Sequence, residues 1–364
     1  MKNTFGNSVA VTVFGESHGA YIGAVLDGLA PGIAIDEDVI RHKLSLRRPQ
    51  DELSTPRQER DDFRIVSGVF NGVTTGTPLC VLIPNSNTHS KDYSQTRSMA
   101  RPGHADYTAY CKYHGYEDYR GGGHFSGRIT AAIVAAGAIV QHALELRGIY
   151  IGTHVAQCCH VIDRNFTDIR ADIDTLNSLA FPVLDPAAGE AMKDVIRAAR
   201  EQKDSVGGVL QTAVIGMPNG VGEPWFDSIE SQLSHALFSI PAVKGVEFGD
   251  GFDLAAMLGS EANDAFTIDE QGTVTTVTNH NGGINGGISN GMPILFRCAV
   301  KPTPSIAQAQ NTIDFMTSEN AVLEIKGRHD PAIIHRARVV VDSVTALVLA
   351  DMLAQRYGTD WLKG

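Results

Sequence analysis

Two hydrophobic periodicities divide this sequence into strands and helices. Alternating or continuous apolar, β-branched runs predict strands at residues 9–14, 22–26, 65–70, 79–83, 209–215 and 293–300. A three-to-four-residue period predicts helices elsewhere. Asp36 reads as an N-cap for a helix whose Val39, Ile40 and Leu44 share one face. That helix ends near Arg47 and Arg48, because Pro49 disfavours helix at the residue before it. The polar run 50–62 then reads as a mobile loop. The clearest helix opens near Ser126, carries Ile129, Ile133, Val140 and Leu144 at helical spacing, and stops at Arg147-Gly148. Asp185-Pro186 supplies a cap and a first-turn proline, and residues 227–237 and 343–356 complete the predicted helices. Strands and helices do not alternate regularly, which favours an α+β fold over a doubly wound sheet. No linker, low-complexity tract or short-period repeat divides the chain, so a single domain over 1–364 is expected.

Composition narrows the class. A hydrophobic content of 43% and a charged content of 20% over 364 residues describe an ordinary globular chain with ample core material. The formal net charge of −11 argues against nucleic acid or an anionic membrane as a partner. In so acidic a chain, local arginine clusters read as an internal anion site. The five cysteines show no C-x-x-C pair and no zinc spacing, and the adjacent Cys158 and Cys159 suit a reduced cytoplasmic protein. They are expected to be small buried hydrophobes. The first residues, M-K-N-T-F-G-N-S, lack the apolar run of a signal peptide, and no stretch reads as a membrane span. No metal is expected, since no pair among the thirteen histidines shows helix-ligand spacing with a carboxylate partner.

The densest chemistry lies at residues 101–128, with three arginines, three histidines, six glycines and five tyrosines. In R-P-G-H-A-D-Y a turn presents His104 with Arg101 beside it, and the planar fork of arginine suits phosphate and carboxylate. In R-G-G-G-H-F-S-G-R, successive glycines let backbone N–H groups converge while Ser126 opens a helix, whose N-terminus favours phosphate. Arg120 and Arg128 bracket that site. A solvated turn and a flexible glycine turn remain alternatives for these two blocks. F-G-E-S-H-G at 14–19 carries His18 on a tight strand exit, where it could protonate a leaving group or serve the fold. The glycine-rich 279–291 and the K-P-T-P-S run at 301–305 match neither a Walker A loop nor a Rossmann fingerprint. K-G-R-H-D-P at 326–331 offers an arginine to anchor a carboxylate and an aspartate to accept a proton, or else a surface ion-pair turn. Together these blocks describe a site for a small phosphorylated polyanion with two histidine acids. They name no reaction.

In this order, the same blocks resemble chorismate synthase. The matching signatures are G-E-S-H-G-x-x-I-G-A-V-L-D-G-L-A-P-G from Gly15, R-G-G-G-x-x-S-G-R from Arg120 and G-R-H-D-P from Gly327. R-P-G-H-A-D-Y, H-A-L-F-S-I-P-A-V-K-G-V-E-F-G-D-G-F, N-H-N-G-G-I-N-G-G-I-S and K-P-T-P-S-I fall between them, so the likeness spans nearly the whole chain. The resemblance implies a β-α-β sandwich of antiparallel sheets flanked by helices, assembled as a homotetramer. It implies an anti-1,4 elimination of phosphate from 5-enolpyruvylshikimate 3-phosphate to give chorismate, the last step of the shikimate pathway. It also implies a requirement for reduced FMN, although the reaction has no net redox change. NADPH would enter only indirectly, through an external flavin reductase, since no insertion is large enough for a reductase function.

The resemblance also implies roles. His18 would act as general acid to the departing phosphate. His104 would protonate or stabilise reduced flavin near N1, and Asp330 with Ser17 would assist proton removal at N5. Arg47, Arg48, Arg101, Arg128 and Arg328 would bind substrate, Arg328 facing the substrate or the flavin phosphate. His124, Phe125, Ser126, Pro241, Ala242, Gly286, Lys301, Pro302, Thr303, Pro304 and Ser305 would cradle the flavin. Departures from the commoner pattern are H-F-S-G-R in place of R-S-S-A-R or R-A-S-A-R, Leu46 before Arg47-Arg48 in place of a third arginine, and Glu52 or Leu53 where a basic residue often stands. A related flavin- or phosphate-dependent lyase with a changed substrate is the main rival. A non-catalytic FMN- or anion-binding protein would have lost His18, His104 or Asp330, and all three are present.

Overall fold

The apolar alternation of the N-terminal third forms an antiparallel sheet. The computed structural model describes residues 2–49, 53–54, 60–86, 97–325 and 330–363. Five strands run in the spatial order Thr4–Phe5, Ala10–Gly15, Tyr21–Asp27, Leu79–Pro84 and Arg64–Ser67. Ile22, Ala24 and Leu26 turn inward, as do Leu79, Val81 and Ile83 on the next strand, so one face is buried. A second antiparallel sheet has the order Val243–Phe248, Ile294–Val300, Gly208–Ile215, Tyr150–Cys158 and Val161–Ile162.

Helices fill the space between the sheets. Thr130–Leu146 packs on the first sheet and Ile334–Tyr357 on the second; the two pack on each other, with Glu37–Arg47 alongside. Gly137 permits their close crossing, because a Cβ there would lie 2.3 Å from Ser343 Cβ. Thr153 Oγ1 donates to Asp342 Oδ1 at 2.6 Å on the inner face of the second sheet. Gly152 beside it leaves room on the opposite face for Ile173 of helix Ile169–Leu176. The expected α+β architecture, a β-α-β sandwich of antiparallel sheets, is therefore the one observed.

Caps follow the sequence. Asp36 accepts from the N–H groups of Asp38 and Val39, and Asp185 from that of Ala187 at 2.9 Å. Ser126 Oγ accepts from Arg128 N at 3.3 Å, and a 3-10 turn, Gly127–Ile129, then leads into the long helix. Other expectations need correction. The strand read at 65–70 is broken at Gly68, whose φ is +81°. The helix read from Ser343 starts at Ile334, because His335 and Arg338 are buried rather than exposed. Helix Asp106–Tyr113 went unread because Ala109 is its one buried residue, so it has no apolar stripe. Segment Gly127–Leu146 is long and apolar enough to cross a membrane, contrary to the sequence reading, but here it is a core helix. Cys158 and Cys298 are buried, and burial pushes their thiols up to about 12, whereas Cys111 and Cys159 are exposed. Of the loop at 50–62, Leu53, Ser54 and residues 60–62 fall within the described residues.

Candidate active site

Three sequence blocks meet at the glycine triplet. Gly121, Gly122 and Gly123 have φ of +61°, +84° and +54°, a region that favours glycine. The space confirms the choice. A Cβ on Gly121 would fall 2.3 Å from His18 Cε1 and 2.9 Å from Ser17 Oγ, and one on Gly122 would fall 3.2 Å from His104 Cε1. Ser17 N donates to Gly123 O at 3.0 Å, and His124 Nδ1 donates to Gly15 O at 2.8 Å. The triplet thus sits between the His18 loop and the His104 loop. Ser17 Oγ is buried with no hydrogen-bond partner among the described residues.

His104 is oriented by Asp106, a residue outside the sequence-read set. His104 Nδ1 lies 2.6 Å from Asp106 Oδ1, which can only accept, and 3.0 Å from Arg101 Nη2, which can only donate; the shorter contact assigns the proton to Nδ1 and leaves Nε2 at Gly122. Arg101 grips the same carboxylate with Nε and Nη2, both at 2.7 Å. Burial works against the charge on Asp106, but hydrogen bonds from Arg101 and His104 outweigh it and hold the carboxyl well below its ordinary range. Arg101 is therefore turned to Asp106. Lys301 Nζ donates to Gly103 O at 2.5 Å, and its backbone N to Ala242 O at 2.9 Å. Ser205 Oγ donates to Thr303 O at 2.8 Å, while Thr303 Oγ1 is buried without a partner among the described residues.

The cations gather at a neighbouring cleft. Arg47, Arg48, Ser126, Arg128, Pro241, Asp330 and Arg336 line a cavity of about 250 Å³. Arg128 donates through Nε to Asn85 Oδ1 at 3.0 Å, through Nη2 to Pro84 O at 3.2 Å, and through Nη1 to Asp61. Asn85 Nδ2 in turn donates to the carbonyls of Glu16 and Gly19, at 3.0 and 2.8 Å, which ties the cleft to the His18 loop. Asp61 also accepts from Arg47 Nη2 at 2.8 Å. Burial raises the pKa of Asp61, yet Arg47 and Arg128 bring it below the ordinary value. Arg336 Nη2 stands 2.5 Å from Asp330 Oδ1. The Nε groups of Arg47, Arg48 and Arg336 are buried and lack hydrogen-bond partners among the described residues. Arg47, Arg48, Arg128 and Arg336 all line this one cavity, which suits it to an anion.

Most of the residues read from sequence converge on this strip, and some do not. Gly286 tops a hairpin, Ile284–Asn285 with Ile288–Ser289, with no atom near where its Cβ would be. Gly287 beside it faces Glu223, which lies with Met352 and Arg356 at the far end of the helix whose start lines the cleft. Nineteen residues separate Arg336 from Gln355, about 28 Å at 1.5 Å per residue. Within one chain Gly286 is thus remote from the cleft. Phe125 meets Tyr113 edge-on at 6.1 Å. Pro302, Pro304 and Ser305 follow Lys301, with Pro304 against Gly103. Arg328 lies outside the described residues. Asp61, Asn85, Asp106 and Arg336 were missed. Only Asp106 had a readable signal, its place two residues after His104.

A sequence model described as chorismate synthase matches residues 9–354. The chain is 46% identical over 361 residues to the chorismate synthase of Dehalococcoides mccartyi strain BAV1, covering 98% of each chain. It is 43% identical over 352 residues to that of Thermococcus kodakarensis, covering 96% of this chain and 97% of the other. A crystal structure of chorismate synthase superposes with a TM-score of 0.77 at 28% identity, over 97% of this chain and 94% of that one.

Proposed function

The chain belongs to the chorismate synthase family, and on that premise we propose that its cleft removes phosphate and a hydrogen from 5-enolpyruvylshikimate 3-phosphate in an anti-1,4 elimination, giving chorismate. The observation that carries this reading is the cavity shared by Arg47, Arg48, Arg128, Arg336 and Asp330. Fixed guanidinium donors there offset the charge that grows on a departing phosphate. His18, packed on Gly121, is the general acid for that leaving group. Asp330, oriented by Arg336, is the carboxylate placed to accept a proton.

Reduced FMN fits the residues that run from the glycine triplet to the edge of the same cleft, where Ser126 and Pro241 line it. Ser17 Oγ and Thr303 Oγ1 are buried donors without a partner among the described residues, and the glycine triplet leaves a face that a Cβ would fill. His104, His124, Ser126, Pro241, Ala242 and the run Lys301, Pro302, Thr303, Pro304 and Ser305 would hold the flavin, with Arg328 at a phosphate. Bound there, reduced flavin would lend electron density while phosphate leaves. His104, its Nδ1 proton fixed on Asp106, keeps Nε2 for the flavin edge. We assign the protein to the cytoplasm as a homotetramer, supplied with reduced FMN by an external reductase through which NADPH acts.

An anaerobic assay tests this reading. The protein, 5-enolpyruvylshikimate 3-phosphate and chemically reduced FMN should release phosphate and form chorismate in equal amounts. No product with reduced flavin in excess would reject it.

A further inference from the structure

We propose that Asp61 is a positioning residue for the phosphate end of the cleft, holding Arg47 and Arg128 together so that both serve one anionic group. The inference rests on the functional reading above and adds a residue to it. Arg47 comes from the last turn of helix Glu37–Arg47, and Arg128 from the 3-10 turn Gly127–Ile129. Two cations from separate elements would repel one another at such close quarters. Asp61 divides its carboxylate between them, Oδ2 to Arg47 and Oδ1 to Arg128. Its side chain keeps 0% exposure, against 11% for Arg47 and 4% for Arg128. Both arginines line the cavity and Asp61 does not. The carboxylate therefore lies behind the cations rather than between them and a ligand, which makes it an anchor and not a plug.

The surrounding backbone supports the same role. Asp61 has φ +52°, a conformation that non-glycine residues rarely adopt and that collects at functional sites. The carbonyl before it, on Arg60, is held by Arg48 Nη1 at 2.9 Å. Asn85 and Pro84 fix two further edges of Arg128. An arriving phosphate would meet donors already in place, so little reorganisation is left for the reaction itself.

The test uses the whole chain and two probes. Calorimetric titration with inorganic phosphate reads the cleft without turnover; KM for 5-enolpyruvylshikimate 3-phosphate with reduced FMN reads it during turnover. Asp61→Asn is expected to weaken phosphate binding and raise KM by about tenfold or more, with a smaller fall in kcat. Unchanged or tighter phosphate binding in folded Asp61→Asn would overturn the proposal, since a bystander or a competitor would behave that way. If circular dichroism shows Asp61→Asn unfolded, Asp61→Glu takes its place. It keeps the charge but moves it by one methylene, and the same loss supports the proposal while unchanged binding refutes it. Should the wild type bind phosphate yet form no chorismate, the functional reading fails while the titration still judges the anchor.

Discussion

Two buried clusters in this molecule contain the same ingredients, one aspartate and two cations, and they behave in opposite ways. At the cleft, Asp61 meets Arg47 and Arg128 directly, and its pKa falls despite burial. In the middle layer, Asp342 sits with Arg338 and Lys43, and its pKa rises because burial outweighs them. Distance explains the contrast. Arg338 Nη1 is 3.6 Å from Asp342 Oδ2, which has no hydrogen-bond partner among the described residues, and Lys43 Nζ donates instead to Asn177 Oδ1 at 3.3 Å. Burial likewise lowers the pKa of Lys43 and of Arg338. One cluster is well paired and opens on a cavity; the other is enclosed and poorly paired. Burial of charge alone does not make a site. Pairing beside a cavity does.

The two clusters are separated by the geometry of one helix. Arg336 and Arg338 are two residues apart on Ile334–Tyr357, about 200° around the axis, so one faces the cleft and the other the interior. Arg338 and Asp342 are four apart and share a face. Substitutions that separate function from stability will therefore break the comparison or sharpen it. The largest effect is expected for Arg128→Ala, which removes a cleft donor. Its kcat/KM should fall on the order of 10³-fold in anaerobic steady-state assays. A fall under tenfold would place the phosphate elsewhere.

Asp342→Asn should do the reverse. It strands two buried cations, so denaturant unfolding should show a loss of about 3 kcal/mol, while KM per folded molecule stays at the wild-type value. At neutral pH the smallest effect concerns His335, the residue before Arg336 on the same helix. It is buried against Phe181, with Ser54 Oγ 3.1 Å from Nε2. Burial, then Arg336, pushes its pKa down to about 3. The folded ring therefore stays neutral where the unfolded one titrates near 6.5. Its contribution is present above pH 6.5 and is lost as pH falls from there toward 3, at roughly 1.4 kcal/mol per pH unit. His335→Gln should flatten unfolding free energy against pH in that window, and an unchanged slope would mean that His335 is protonated in the fold.

Local signals carried much of this molecule in its sequence. Asp36, Ser126 and Asp185 cap the helices that their chemistry announced, and Ile22 and Leu79 begin runs of alternation that define one buried face. His18, His104, Arg47, Arg48 and Arg128 were readable as motifs because glycine and proline neighbours mark them as presented. Asp61 was not, since D-D in a polar run looks like solvent-exposed charge until residues 47 and 128 arrive from other elements. Arg336 and Arg338 were hidden for a related reason. No local signal marks the pair, and only the enclosing sheets make it one cleft residue and one interior residue.

The most direct check on the account is KM for 5-enolpyruvylshikimate 3-phosphate, measured side by side in Asp61→Asn and Asp342→Asn with reduced FMN. The cleft account predicts a rise of about tenfold or more for the first and none for the second. Equal values in the two variants would contradict it.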